Sequence, residues 1–553
     1  MSKIARITGF SLLFFVIIFL ISGILLNVYF NKKIIESVKE QVSESTHGQY
    51  ALILDGLTIN IFTRTITVKN IIIAPVIKET SSKAQFVFKA KILRTIDFSI
   101  LPYFTGHDLL IDRVEFEQPQ ISIFQGYKRM PKRTAEPAEN DFSIFKLFSK
   151  QLNSLSIGHI DIMNSKINIY KNGTDTLSVF SSNDNSLSIK NFNVNSETEK
   201  TSRLFIADKF EIVMNKFFYH IGNGLYTLQG KRLYTSYIDS TLTIDSLQVV
   251  PNFSKKEFAE EAGRQITRVK IISSKIEAKM MDVKLFFEYN WLVINKVGIT
   301  GCSMDIYRDN TLPIKHIIRP SVQAILKSLP FFVSVDTIEM KNGEAVYQEL
   351  NPAMILPGKL SLNKINVIIT GVQNDTSLYS KKSNITVKLN AYIMNQGRFR
   401  ETCTFPLINS EDFFYCSGSC TSMPLASFNP MIQHTKNISI ISGQLDYASF
   451  SFTANKNSSY GTMKFIYHDL KVEVLNKLGN KIGFREKVKT FLMNKIVIKD
   501  RNPDKNGVVR ISNIHAEHNP YRFFPYYSMQ SILSGIEPAV EGENKAKWLK
   551  KKK

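Results

Sequence analysis

Residues 111–124 read IDRVEFEQPQISIF, in which an apolar pair, Val114 and Phe116, precedes a polar break and a second apolar pair, Ile121 and Ile123. The same design returns without gaps at 157–170, 294–307 and 335–348. With fourteen columns aligned, columns 4, 6, 11 and 13 hold Ile160, Ile162, Ile167 and Ile169 in the second copy. The third copy puts Val297, Ile299, Met304 and Ile306 there, and the fourth Ile338, Met340, Ala345 and Tyr347. Columns 8 and 9 are turn formers or tolerate turns: Gln118-Pro119, Asn164-Ser165, Gly301-Cys302 and Asn342-Gly343. Asn-Gly accepts the positive φ angles of a type I′ turn, so the spacing predicts a β-hairpin in each copy. In such a hairpin column 6 opposes column 11 and column 4 opposes column 13 on one apolar face.

The other face is mostly polar, with pairs Glu115/Ser122, Asp161/Asn168, Gly298/Asp305 and Glu339/Val346, and with Lys341 opposite Glu344. Pro119 suits a turn and would weaken an interior strand position. Half-copies begin at Leu54-Asp55-Gly56, Ile244-Asp245-Ser246 and Leu362-Asn363-Lys364, each followed by an alternating apolar pair. The full copies start 46, 137 and 41 residues apart, which is no solenoid period. One β element reused along a long sheet is the expectation. The module contains no catalytic group.

Elsewhere, 50–75 reads as two or three strands. Helices are expected at 143–155, at 254–263 behind a Ser254-Lys255-Lys256-Glu257 capping box, at 313–329 with a kink at Pro320, and at 483–494. Loops fall at 126–141, 172–186 and 374–384. Residues 7–30 carry no charge and are dominated by Ile, Leu, Phe and Val, among them Ile7, Phe14, Phe19, Leu25 and Phe30. As a helix the stretch would reach about 36 Å, enough to cross a bilayer core of about 30 Å. Its length and its aromatic end favour an uncleaved anchor over a signal peptide. Lys3 and Arg6 precede it while Lys32, Lys33 and Lys39 follow. Local charge therefore does not set the orientation, and the long following domain places the bulk outside the cytoplasm.

The formal charge is +22, from 70 basic and 48 acidic residues, and six lysines sit in the last nine positions. The remaining basic residues are scattered, without the clustered footprint of nucleic-acid binding; a surface near anionic lipid fits better. Cys403, Cys416 and Cys420 lie within eighteen residues. One disulfide among them or free thiols is expected over a metal site, because no fourth ligand is near. His515 and His518 would point to opposite faces of a strand. No nucleophile elbow, phosphate loop, zinc helix or dinucleotide fingerprint is present, so neither an enzyme nor a cofactor is expected.

A single N-terminal span, the hairpin-like text of 50–75 and the LLIDRVEFEQPQISIF unit resemble the AsmA-like proteins of the Gram-negative envelope. The stretch LPFFVSVDTIEMKNGEAVYQE, 329–349, is similar to the same unit with its lead-in. The likeness covers 1 to about 125 well and is patchy to about 370. It implies a mainly β fold, in which an inner-membrane helix carries an elongated, curled antiparallel sheet of repeated hairpins with a few short helices in the periplasm. The sheet would close as a sandwich or open as a groove that holds lipids, its partners being membrane lipids and an envelope protein. The groove residues would be Val114, Phe116, Ile121, Ile123, Ile160, Ile162, Ile167, Ile169, Val297, Ile299, Met304 and Ile306. On this reading 1–6 is cytoplasmic, 7–30 the anchor, 31–48 a stalk and 49–125 the first β segment. A linker at 126–141, a repeated body at 142–375, a β-rich segment at 376–540 and a basic tail at 541–553 follow. The competing reading is a tethered scaffold whose sheets pack fully and bind a protein.

Overall fold

The computed structural model describes residues 31–541 apart from 47, 61–62, 78–83, 100, 126–151, 172–177, 199–206, 222–223, 353, 381–382, 409–412 and 476–497. The anchor residues Ile7, Phe14, Phe19, Leu25 and Phe30, the linker at 126–141, the helix expected at 483–494 and the tail from 542 lie outside the described residues. Among the described residues no helix is long and apolar enough to cross a membrane. Strand outweighs helix, 63% to 15%, so the fold is mainly β.

The chain divides into two compact units. The first comprises residues up to 247 with 277–294 and 330–332; the second comprises 248–276, 295–329 and 333 onward. In chain order the first unit opens with α1 (Asn31–Ser45), β1 (Tyr50–Ile53), β2 (Gly56–Asn60), β3 (Thr65–Pro75) and β4 (Gln85–Ser99). It continues with α2 (Leu101–Gly106), β5 (Asp108–Glu117), β6 (Gln120–Gln125), β7 (Ser154–Lys171), β8 (Ser178–Asn195), β9 (Lys209–Ile221) and β10 (Tyr226–Ser236). Strand β11 (Thr241–Pro251) leads to α3 (Lys255–Ala262), β12 (Thr267–Met281), α4 (Val283–Tyr289), β13 (Trp291–Thr300), β14 (Ser303–Asp309), α5 (Val322–Lys327) and β15 (Phe332–Leu350). The second unit goes on through β16 (Gly358–Gln373), β17 (Asn384–Ile393), β18 (Gly397–Pro406), β19 (Phe414–Pro424), α6 (Asn429–Lys436), β20 (Ile438–Ala454), β21 (Ser458–Val474), β22 (Ile511–Glu517) and α7 (Phe524–Val540).

The expected hairpins do not form. In the first copy β5 and β6 are two halves of one line of strand, both antiparallel to β4: Leu93 faces Phe116 and Phe88 faces Ile121. In the second and fourth copies β7 and β15 run straight through the expected turn. The copies lie side by side and parallel, column on column. Val114 pairs with Ile160, Phe116 with Ile162, Ile121 with Ile167 and Ile123 with Ile169; Met304 pairs with Ala345 and Ile306 with Tyr347. The sheet is therefore mixed rather than purely antiparallel.

What the turn signal marks is a bulge. Column 8 has positive φ in every copy: Gln118 52°, Asn164 56°, Gly301 61° and Asn342 51°. An inserted left-handed residue bends a strand and shifts its side-chain phase by one, which brings columns 4 and 6 and columns 11 and 13 to the same face. Ser246 and Lys364 carry the same φ in two half-copies. The register breaks at Ile162/Ser165 between β7 and β8, and at Met340/Gly343 between β15 and β16. Spare polar groups at the first break are met locally. Buried Asn185 donates to the Ser165 carbonyl (3.0 Å) and accepts from Ser182 (2.6 Å). Pro119, which has no N–H to lose, sits in the bulge and accepts from Lys166 N–H (2.8 Å).

In the first unit a row runs across five strands as Val68, Leu93, Phe116, Ile162 and Leu187, each opposite the next. The first three are 0% exposed. Each such side chain contributes about 1.5–3 kcal/mol by leaving water. Helix α1 covers most of the residues read as a stalk, and it packs on β1 and β2 with Val38 and Val42 buried.

Other helices are shorter than expected or were not expected. Ser254 forms the capping box with Glu257, as read from the sequence. Residues 311–320 are not helical, and α5 starts only after Pro320, capped by Ser321. Residues 154–155 of the expected helix at 143–155 already belong to β7, and 143–151 lie outside the described residues. Helix α7 packs on β21 and β22 through Tyr527, Ser528, Ser531, Gly535 and Ala539. A Cβ at Gly535 would stand 2.8 Å from Ile514 Cγ1 and 3.0 Å from Met463 Cβ, so the helix approaches this closely only with glycine there.

Candidate functional site

Within the second unit one sheet face can be followed strand by strand from the register. Val269 and Ile271 of β12 stand beside Ile306 and Met304 of β14, and these beside Tyr347 and Ala345 of β15. Next come Leu360 and Leu362 of β16, with Met340 facing Val367. Val367 faces Leu389 of β17, and Leu389 faces Glu401 of β18. At the centre Ala345, Ile365 and Ala391 are buried, and Met304, Met340, Leu362, Val367 and Leu389 pack round them only partly buried. The centre sets two alanines beside Ile365, and the surround includes two methionines. Methionine fills irregular spaces and adapts to changing neighbours.

Coverage changes along this face. Over β21 and β22 it is sealed by α7, and Phe405, Phe414, Phe524 and Tyr527 meet in edge-to-face contacts of 4.9–5.6 Å. Helix α6 packs on the Gly358 end of β16, where a Cβ at Gly358 would meet Met431 and Thr435 at 2.7–2.9 Å. Helix α3 lies on the opposite face of β14, where Lys255 Nζ meets Asp305 (3.2 Å) and Gln348. The middle of the face, Met304 to Leu389, is only partly buried.

Both ends of the open stretch are polar. At one, Glu401 accepts a hydrogen bond from Ser528 Oγ of α7 (2.6 Å), and burial raises its carboxyl above the usual range while Ser528 opposes that rise. At the other, Arg308, Tyr347 and Glu349 follow Ile306 and Ala345 on the same strands and the same face. Burial and then Glu349 push the Tyr347 phenol up, and its hydroxyl donates to Glu349. The polar ends are what the sequence did not disclose, since each residue is ordinary in isolation.

The sequence-predicted groove residues separate into two groups. Val114, Phe116, Ile160, Ile162 and Ile169 are buried, with exposures of 0–5%, and present no surface to a ligand. Ile121, Ile123 and Ile167 are half-buried in the first unit, and Val297, Ile299, Met304 and Ile306 are half-buried. Ile338, Met340, Leu362, Val367 and Leu389 join the open face and were not among the candidates, although columns 4 and 6 of the fourth copy pointed to the first two.

Cys403 and Cys416 stand opposite each other on β18 and β19 and form a disulfide. Cys420 is free and buried beside Met423, and burial pushes its thiol up to about 11. Ligand atoms of Glu401, Cys403 and Cys416 lie within 4.8 Å of one another, but two sulfurs joined to each other leave no thiolate for a metal. His515 and His518 are apart in role: His515 stacks near Tyr460, and His518 lies on Tyr527 and meets the Lys456 carbonyl. No family model and no curated protein matches the chain.

Proposed function

We propose that the chain is a membrane-anchored lipid-binding protein of the cell envelope, in line with its AsmA-like resemblance. Residues 7–30 hold it in the inner membrane and the β body stands on the periplasmic side. The observation that carries this reading is the partly buried apolar face of β12 and β14–β17, continuous with a face that α7 seals a few strands on. An apolar sheet face is stable in water only with a partner, and a row of aliphatic and thioether side chains over a floor of Ala345, Ile365 and Ala391 suits acyl chains. The Cys403–Cys416 disulfide accords with an oxidising compartment. No residue set in the face supports catalysis, and the protein moves or holds its ligand without transforming it.

The test is native mass spectrometry of the full chain, extracted from membranes in mild detergent. About one or more phospholipids per chain are expected. Met304→Glu with Met340→Glu and Val367→Glu should strip them while leaving the circular dichroism spectrum unchanged. A folded triple variant that keeps its lipid overturns the reading. The sealed columns of the first unit favour the scaffold alternative for that unit, and a lipid-free wild-type chain would extend it to the second.

A further inference from the structure

Along β14 the residues on the open face are Met304, Ile306 and Arg308, and along β15 they are Ala345, Tyr347 and Glu349. The face thus turns from apolar to cationic over about 13 Å of strand. Arg308 is 7% exposed. Its Nε donates to Asn310 Oδ1 (2.8 Å), Nη1 to Thr267 Oγ1 (3.1 Å) and Nη2 to Gln265 Oε1 (3.1 Å). Every acceptor is neutral. Arg522, from the segment ahead of α7, also donates to Asn310 Oδ1 (3.4 Å). The Asn310 amide is held in that orientation by its own donation to Asn351 Oδ1 (2.8 Å).

Two guanidinium groups therefore converge on one amide oxygen. Among the described residues neither makes an ion pair, and a buried cation without a counter-ion is costly. Burial, and after it the Arg522 charge, draws the Arg308 guanidinium down to about 10. Glu349 is the carboxylate whose charge reaches Arg308. Two positive charges against one negative leave one positive charge, matched by a monoanion. The surrounding loops add no acid: 310–320, 350–357 and 519–523 contain Lys315, Arg319 and Arg522 and no Asp or Glu. They are tied together, since Arg319 N–H donates to the Pro520 carbonyl (2.7 Å) and Asn310 N–H to the Leu350 carbonyl (2.8 Å). Guanidinium pairs bind the oxygens of phosphate in forked hydrogen bonds that an ammonium cannot match.

We propose that Arg308 and Arg522 seat the phosphodiester headgroup of a monoanionic phospholipid whose acyl chains lie along Ile306, Met304, Met340 and Leu362. This deepens the lipid-binding reading and rests on it. The seat gives the face a polarity, so that a lipid enters in one orientation, headgroup toward Arg308 and chain ends toward Glu401.

The full chain in mild detergent, stripped of lipid, is offered equal amounts of phosphatidylglycerol and phosphatidylcholine with identical acyl chains. Mass spectrometry reads the bound ratio. The wild type should favour phosphatidylglycerol by about tenfold, because both phosphodiesters are anionic and the choline ammonium cancels that charge in phosphatidylcholine. Arg522→Gln, at a half-buried site, should bring the ratio near one, and Arg308→Lys should lower it in part. Inorganic phosphate added alone at millimolar concentration should not displace the lipid. Equal uptake of both lipids by the wild type, or an unchanged preference in both variants, overturns the headgroup seat and leaves the lipid-binding reading standing. Displacement of phosphatidylglycerol by inorganic phosphate assigns the arginines to a free anion and also overturns the seat. Failure of the wild type to take up either lipid overturns both.

Discussion

The first two copies of the fourteen-residue module and the last two share a backbone and differ in how deeply columns 4 and 6 are buried. In both pairs column 8 is left-handed, and where parallel strands pair, equal columns meet. Yet Val114, Phe116 and Ile160 are 0% exposed, whereas Val297, Ile299, Ile338 and Met340, their counterparts at columns 4 and 6, are half-buried. The residue types shift with the setting. The sealed pair uses Val, Ile and Phe, which fill fixed spaces; the open pair brings in Met304 and Met340, which adapt to variable ones. One module can serve as a dry core or as a surface awaiting apolar partners, and its own sequence does not choose between them.

The largest expected effect tests that contrast directly. Phe116→Ala should cost about 3–5 kcal/mol, the usual range for an aromatic cut from a packed core, read as a fall in the urea midpoint. Met304→Ala should cost about 1 kcal/mol, since its side chain is only partly buried. Equal losses at the two sites would mean that Met304 is as enclosed as Phe116, and the open face would be gone.

A middle-sized effect is expected where the two regions agree. Asn164→Ala and Asn342→Ala each force a Cβ-bearing residue without a local hydrogen-bonding side chain into the left-handed region, at about 1–2 kcal/mol. Both asparagines are exposed, so no buried contact is lost with them. Glycine at either position should be tolerated, because it adopts positive φ freely. Matching penalties in the two regions, measured by thermal melting, would show that column 8 serves the backbone alone. A penalty at only one of them would show that the bulge is held by its surroundings there.

That shared column also explains what the sequence made legible. Apolar columns 4, 6, 11 and 13 do share a face, and column 8 does carry an unusual backbone angle. A type I′ turn and a bulge both need positive φ, so the same residue types announce both, and local sequence cannot tell a chain that folds back from one that continues with its phase shifted. One clue did separate them. A type I′ turn needs positive φ at two residues, and Pro119, with φ fixed near −65°, can never supply the second. The C-terminal helix escaped for a different reason. It meets the sheet through Ser528, Ser531, Gly535 and Ala539, a stripe of small residues that carries no hydrophobic period, and Pro525 and Pro538 argue against a helix until one notes that the first sits at its start. The two arginines at the end of the open face are 214 positions apart in the chain, and only the fold brings them to one oxygen.

The smallest expected effect lies at the border between the sealed and open parts of the second unit. Glu401 faces Leu389 across the β17–β18 ladder and is held by Ser528 of the covering helix. Burial raises its carboxyl, so the folded protein holds this proton more tightly than the unfolded chain does. Below the ordinary carboxylate range both states are protonated and the residue is neutral in effect. As pH rises through the raised folded value, ionisation costs stability, and the cost is complete above it. Glu401→Gln keeps an acceptor for Ser528 and removes the charge. Its melting temperature should exceed that of the wild type at neutral pH, and the difference should close as pH falls below the carboxylate range. A gain that does not change with pH would trace to packing, and a loss at neutral pH would mean that the ionised carboxylate's bond to Ser528 outweighs its burial. In that case the edge of the covered region would be pinned by a charge, and the open face would begin where that charge ends.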